Sequence, residues 1–285
     1  MTEGDWTVIS NEAIVEESKM VEEECGRAAS MFEEQASTEP ANKKQVSFNE
    51  SFRISTYLYA IVAGPFAFHE RQTEGFPLMR IYARQSLIND VRHEEMFNVT
   101  ESGMTFYKDF FGKPYPFRKY DQVFVPEHNF GAMENVGCVT YNENYMYRGQ
   151  NPTLAKLLRF SITNLHELAH MWFGNLVTMK WWDDLWLNES FATFMSFLAM
   201  HRSPRLPHYH DTCWVTFLQY KFWGITKDSA SSTHPICCEI VSTDQAESLF
   251  DGISYGKGSA FLKQFYNILG YDTFSAGLHL YFNRY

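Results

Sequence analysis

The spacing of apolar residues changes part-way along this chain of 285 residues, and that change most constrains its fold. Short segments rich in β-branched and aromatic residues, typical of strands, are 46–68, 77–84, 121–126 and 136–141. Apolar residues at three- and four-residue spacing predict helices over 86–111, 151–173, 188–201, 208–222 and 257–269. Strands followed by helices favour an α+β fold over alternating βαβ units.

The first long helix of the second half has recognisable ends. Asn151-Pro152 is typical of a helix start, because asparagine caps the helix and proline suits its first position. Gly174 is expected to end it after Phe173. Several aromatic residues lie at the end of this helix and after it. We expect them to contribute mainly to the core: Trp172, Phe173, Trp181, Trp182 and Trp186.

Charge and cysteine usage exclude some classes of protein. The formal net charge of −10 disfavours a nucleic-acid-binding protein, which would carry basic patches. Glutamates are concentrated in segment 16–45, which is interpreted as a solvated loop or charged helix. The five cysteines are odd in number and lack CxxC spacing, which disfavours a zinc–thiolate site and a full disulfide framework. With no visible signal peptide or transmembrane span, a reduced, cytoplasmic setting is expected.

One short motif points to a metal. His166-Glu167-Leu168-Ala169-His170 places two histidines four residues apart on one helix face, where both imidazoles can bind one ion. Alone, the motif could be two surface histidines on an amphipathic helix. Here it lies in an apolar run, where unpartnered polar groups would be costly to bury. Glu189 follows after 18 intervening residues, a spacing that suits a returning helix bringing a third ligand.

The stretch HELAHMWFGNLVTMKWWDDLWLNESFATF (166–194) resembles the core of the M1 family of zinc aminopeptidases. Its HExxH-x18-E arrangement is the gluzincin pattern, and Gly131-Ala132-Met133-Glu134-Asn135 matches the family's GAMEN motif. Segment 253–258, with sequence ISYGKG, is similar to the family's tyrosine-containing segment. The resemblance implies a thermolysin-like catalytic domain over 76–285. Residues 1–75 would be the C-terminal part of an all-β N-terminal domain, with the acidic insert at about 16–45.

The resemblance also implies roles for individual residues. One Zn²⁺ per chain would be held by His166, His170 and Glu189. Glu167 would be the general base for the attacking water, and Tyr255 would donate to the oxyanion. The substrate-binding segment would be Gly131, Ala132, Met133, Glu134 and Asn135.

Within that segment, Glu134 would bind the α-ammonium of a peptide with a free N-terminus. Three further polar residues are candidates for orienting the metal ligands: Asp183, Asp184 and Asn188.

Three departures from the family pattern are visible. Ser190 stands where the family usually has glycine, and Met171 where it commonly has glutamine, and neither is expected to matter much. Family members are usually longer, so the chain is expected to be a fragment or a truncated member. A pocket glutamine or glutamate of the family's N-terminal domain would then lie upstream of Met1.

Other functions remain open at this stage. Epoxide-hydrolase relatives share the zinc ligands but usually have glycine at the position of Ala132. A non-catalytic interaction or structural protein is a second alternative, which the intact zinc set and Tyr255 oppose. An endopeptidase is disfavoured by Glu134. The sequence predicts neither the preferred N-terminal residue nor the oligomeric state.

Overall fold

The structure is a computed structural model that describes residues 2–19, 43–149, 152–206 and 209–285. The strands are β1 Thr2–Glu3, β2 Thr7–Ser10, β3 Ile14–Lys19, β4 Lys43–Phe48, β5 Ile61–Gly64, β6 Phe66–Arg71, β7 Leu78–Arg84, β8 Lys119–Val125, β9 Ala132–Met133 and β10 Cys138–Asn142. The helices are α1 His93–Phe111, α2 Leu154–His170, α3 Leu185–Arg202, α4 Cys213–Asp228, α5 Thr243–Ser248, α6 Gly258–Leu269 and α7 Tyr271–Arg284. Strands precede most of the helices, and the predicted α+β class is confirmed.

Two small antiparallel sheets form the N-terminal region. One has the order β1-β4-β3, and the other pairs β2 with β5. The interpretation of segment 16–45 as loop or helix is wrong for residues 16–19, which lie in β3, and for residues 43–45, which lie in β4. All residues of β3 are exposed. Residues 20–42 of that segment lie outside the described residues.

A five-stranded sheet of order β6-β7-β8-β10-β9 carries the rest of the fold. Strands β7, β8 and β10 are parallel, and the outer strands β6 and β9 run antiparallel to their neighbours. Strand β6 lies on the N-terminal side of residue 75, where the sequence predicts a domain boundary, yet it pairs with β7 along its whole length. The division into domains at residue 75 stays a prediction.

The helices enclose an aromatic core. Helices α1, α2, α3 and α7 contribute most of its buried side chains, and Trp172 is fully buried at its centre. Trp181 departs from the expectation that it is a core residue, because 45% of it is exposed and its indole N–H donates to the carbonyl of Ile240 at 2.5 Å. Within the described ranges, none of the helices is long and apolar enough to cross a membrane.

Candidate metal centre and active-site cavity

Helices α2 and α3 pack against each other and carry the motif histidines and Glu189 on facing sides. Helix α2 begins at Leu154 and is capped by Thr153, whose hydroxyl accepts from the amide of Lys156. The expected cap, Asn151, lies outside the described residues. The helix ends at His170, three residues before the predicted end. Gly174 then turns the chain with φ 114°, and a Cβ there would overlap the amide of Asn188. Glycine therefore lets the two helices meet at this point.

His166, His170 and Glu189 form a compact triangle of ligand atoms. The two Nε2 atoms lie 2.9 Å apart, and Glu189 Oε2 lies 3.2 Å from His166 Nε2 and 3.5 Å from His170 Nε2. Donor atoms around a tetrahedral zinc ion lie roughly 3.3 Å apart, given bonds of about 2.0–2.1 Å. The residues therefore fit a zinc ion in spacing and in ligand type, with one coordination position left for water or substrate.

Hydrogen bonds to the far side of each imidazole leave the inner nitrogens free for a metal. His170 Nδ1 lies 2.8 Å from Asn188 Oδ1 and 3.2 Å from the Phe173 carbonyl, so it carries the proton and donates. His166 Nδ1 lies 3.3 Å from the Thr193 hydroxyl. Such partners fix the ring orientation and tautomer of metal-binding histidines.

Of the three candidates for orienting the ligands, only Asn188 contacts one of them. Asp183 instead accepts from the backbone amide of Ile240 at 2.7 Å. The carboxylate of Asp184 lies 4.0 Å from Cys237 Sγ. The expectation for Asp183 and Asp184 is therefore wrong, because both carboxylates turn toward segment 237–240 rather than toward the histidines.

Two further carboxylates lie beside the triangle. Glu134 and Glu167 offer oxygens within 4.8 Å of each other and of a His170 nitrogen. Burial raises the pKa of the Glu167 carboxyl well above its usual value; His170 opposes this, while Glu134 and Glu189 add to it. Burial likewise raises the pKa of Glu134, with His170 opposing and Glu189 adding. A protein without a ligand at this place would have little reason to bury so many acids together.

The surrounding carboxylates also shift the pKa values of the histidines. Burial alone would lower the pKa of His170, but Glu134, Glu189 and Glu167 outweigh it and raise the pKa to about 10. Burial would raise the pKa of Glu189, but the two histidines outweigh it and the pKa is lowered. Burial and the neighbouring His170 lower the pKa of His166. The field that holds a proton on His170 would equally attract a metal cation.

A cavity of about 620 Å³ opens onto this group, within the usual size range of ligand pockets. No Lys or Arg is among its lining residues, which are all from described parts of the chain: Phe130, Gly131, Ala132, Met133, Glu134, Ile162, Thr163, His166, Glu167, His170, Glu189, Thr193, Ser196, Tyr220, Trp223, Glu247, Phe250 and Tyr255.

The GAMEN segment forms one wall. Its strand β9 pairs with β10 and, in the part of the chain that the structure describes, is the edge of the five-stranded sheet. Gly131 packs against Tyr145, whose hydroxyl would lie 2.7 Å from a Cβ at that position. Four residues of the segment line the cavity, whereas Asn135 turns away and donates to the Thr140 hydroxyl at 3.2 Å.

Tyr255 lies on a π-helical turn, Ile253–Lys257, that leads into α6. Its ring lies 5.9 Å from that of His166, at an angle of 19° between the planes. Burial raises the pKa of the Tyr255 phenol well above its usual value, and Glu189, Glu134 and Glu167 add to the effect. The phenol is therefore held in its protonated, donating form beside the triangle.

Sequence reasoning missed several cavity residues. Thr193 and Ser196 follow Glu189 by four and seven residues on α3, so their shared helix face could have been read from the spacing. Phe130, Tyr220, Trp223, Glu247 and Phe250 come from other elements, and nothing local in the sequence marks them.

Comparison with known proteins agrees with this geometry. Residues 95–285 match the domain of peptidase family M1. The chain belongs to peptidase family M1.

The M1 relatives are much longer than this chain. Aminopeptidase N of Streptomyces lividans is 43% identical over 244 residues, which are 83% of this chain and 28% of that protein. Aminopeptidase M1-D of Oryza sativa subsp. japonica is 40% identical over 85% of this chain and 27% of that protein. Tricorn protease-interacting factor F2 of Thermoplasma acidophilum is 35% identical over 86% of this chain and 30% of that protein. The chain thus spans less than a third of the length of these relatives.

Proposed function

We propose that this protein is a zinc-dependent aminopeptidase that hydrolyses the N-terminal bond of peptides. The observation that carries the proposal is that a His-His-Glu triangle, Glu167 and Glu134 all face one cavity. The names of the M1 relatives support peptide-bond hydrolysis, since two of them are called aminopeptidases. His166, His170 and Glu189 would hold the zinc ion, which when bound supplies Lewis-acid polarisation of the scissile carbonyl and of water.

Glu167 would move the proton. It directly follows His166 in the helix, is 5% exposed, and has a raised pKa. A buried carboxylate beside the metal ligands can take a proton from the attacking water, and the carboxyl group so formed can deliver that proton to the departing amine. Burial and the neighbouring acids, which raise its pKa, make it a stronger base for the first half of this transfer.

Glu134 would determine where the peptide is cut. It is 6% exposed and faces the cavity next to the triangle. A fixed carboxylate there binds the α-ammonium of a free N-terminus, which an internal peptide bond does not offer. The unpaired edge of β9 beside it would hold the peptide in an extended conformation through backbone hydrogen bonds.

Tyr255 would stabilise the charge that develops on the carbonyl oxygen. Its phenol stays protonated beside the triangle and can donate to that oxygen when it becomes negative. Donors of this kind contribute on the order of 10²–10³ in rate.

The proposal is tested with a panel of aminoacyl anilides, with Glu167→Gln as the matched variant of nearly equal size. We expect the protein to cleave some of the panel and Glu167→Gln to lose at least about 10³-fold in kcat. Free peptides should be cleaved and their N-acetylated forms should not. Stoichiometric zinc with no cleavage, and no difference between wild type and Glu167→Gln, would support the non-catalytic alternative instead.

A further inference from the structure

One hydrogen bond links the two segments that carry the proposed ligand Glu189 and the proposed donor Tyr255. Ser190 directly follows Glu189 in α3, and Ser254 directly precedes Tyr255 in the π-helical turn. The Ser190 hydroxyl donates to the Ser254 carbonyl at 2.5 Å. Ser190 is 0% and Ser254 1% exposed, so water does not compete for this bond.

Side-chain hydroxyls add to the backbone hydrogen bonds of the π-helical turn. Its backbone bonds span five residues rather than four, which interrupts the regular α-helical pattern at the start of α6. Side-chain hydroxyls reach two of its carbonyls: Ser190 donates to that of Ser254, and Ser259 to that of Gly256 at 3.1 Å. Short π-helical segments are frequent at functional sites.

Glycines bring this turn into backbone contact with its neighbours. A Cβ at Gly256 would overlap the carbonyl of Tyr220 in α4, and one at Gly258 would overlap the Ser190 hydroxyl. The turn is therefore packed closely between α4 and α3. Its position depends on the groups that face it from these helices. Of these groups, only Ser190 is adjacent in sequence to a member of the triangle, Glu189.

We propose that Ser190 is a positioning residue for Tyr255, because its hydroxyl holds the π-helical turn where the phenol faces the metal triangle. The inference rests on the function proposed above. On sequence alone, little effect is expected from serine at a position where the family usually has glycine. The proposal replaces that expectation, because it gives the Ser190 hydroxyl a role.

The test is a double-mutant cycle of Ser190→Ala with Tyr255→Phe, measured as kcat and KM on one aminoacyl anilide. Alanine keeps the Cβ of serine and removes only the donor. We expect Ser190→Ala to lower kcat roughly tenfold, less than the roughly 10²-fold that a misplacement of about 1 Å can cost, because the rest of the turn still packs against α3 and α4. KM should change less than about twofold. In the Tyr255→Phe background the same substitution should change kcat less than about twofold, because the hydroxyl to be positioned is gone.

Ser275→Ala is the matched control. The Ser275 hydroxyl also donates to a backbone carbonyl of another helix, that of Phe110 at 2.8 Å, and it is 9% exposed. It lies outside the cavity lining. Both serine variants should lower the melting temperature by similar amounts, whereas only Ser190→Ala should lower kcat. Ser190→Gly serves as the second variant if alanine fails to fold, with the same expected loss.

Three results would overturn the inference while leaving the proposed function intact. One is a wild-type kcat in Ser190→Ala while Glu167→Gln is inactive. Another is an equal tenfold loss in both backgrounds, which would mean that Ser190 does not act through Tyr255. The third is a weakened zinc affinity in Ser190→Ala, which would place its action on Glu189. A wild-type protein as inactive as Glu167→Gln would instead overturn the proposed function, and the inference with it.

Discussion

Among the described residues, two buried clusters of charged side chains differ in how their charges are balanced. In the first, Lys119 Nζ lies 2.6 Å from Asp121 Oδ2 and also donates to the carbonyls of Ser10 at 2.8 Å and Gly137 at 2.7 Å. Lys119 is 5% and Asp121 2% exposed. One positive charge meets one negative charge, and all three ammonium hydrogens have acceptors.

The second cluster is the candidate metal centre, where the carboxyl groups of Glu134, Glu167 and Glu189 lie around His166 and His170. One ligand atom from each of His166, His170 and Glu189 lies within 4.8 Å of the others, and the same holds for Glu134, Glu167 and His170. Among the described residues, no lysine or arginine lines the cavity on which they open. When all three carboxyl groups are ionised, their negative charge exceeds what two imidazoles can balance. The comparison teaches that a balanced buried cluster joins segments of the fold, whereas an unbalanced cluster beside a cavity indicates a binding site for a cation or a cationic substrate group.

Removing the metal should give the largest difference between the roles of the two clusters. Because the proposed zinc ligands line a cavity wall, we expect a chelator to lower activity by more than about 10³-fold while the helical circular dichroism signal persists. Added Zn²⁺ should restore the activity. Global unfolding on chelation would contradict the division of roles between the clusters.

Breaking the balanced cluster should have the next largest effect. Lys119→Met leaves Asp121 buried without its partner, and we expect the free energy of unfolding to fall by about 3–5 kcal/mol in denaturant titrations. Lys44→Met is the control, because its partner Glu17 lies 2.8 Å away with a side chain that is 47% exposed. Water can hydrate Glu17 after the change, so a loss below about 1 kcal/mol is expected.

The loss in Lys119→Met should also depend on pH. Burial already raises the pKa of Asp121 above its ordinary value of 3.8, with Lys119 opposing, and removing Lys119 should raise it further. A carboxyl with a raised pKa binds its proton more tightly in the folded state than in the unfolded chain. The stability deficit should therefore shrink as the pH falls toward 3.8. A deficit that grows on acidification would contradict this sign.

Neutralising one acid of the unbalanced cluster should have a smaller effect. Glu134→Gln removes the proposed partner of the substrate ammonium, and we expect kcat/KM for free peptides to fall about 10²-fold. Cleavage of N-acetylated peptides should stay at its low level, so the preference for a free N-terminus should shrink by the same factor. An unchanged preference would assign recognition of the N-terminus to another group.

The smallest effect is expected at the partner of His170. Asn188→Ala removes the acceptor that fixes the ring, and we expect zinc affinity to fall about 10- to 100-fold in competition titrations with a chelator. Asp183→Asn is the matched control, since Asp183 bonds the Ile240 amide and contacts neither histidine. Equal losses in the two variants would argue against a specific role of Asn188.

Sequence patterns predicted which segments are helical more closely than where each helix begins and ends. Helix α3 begins three residues before the predicted start at 188, and α2 ends at His170 rather than at Phe173. Helix ends depend on caps and on the neighbouring chain, as with Thr153 and with Gly174 against Asn188. The Lys119–Asp121 pair was not predicted at all, because its acceptors come from residues 10 and 137, far apart in sequence.

The sequence by itself placed His166 and His170 on one helix face, set the number of residues between them and Glu189, and indicated the family. Helical periodicity and motif spacing are local properties that can be read along the chain. Only the tertiary structure decided that Asn188 rather than Asp183 orients a histidine, and that Trp181 is exposed. It also decided that Ser190 meets the turn of Tyr255. These outcomes depend on how separate elements pack, and a contact between distant segments leaves no repeating pattern along the chain from which it could be read.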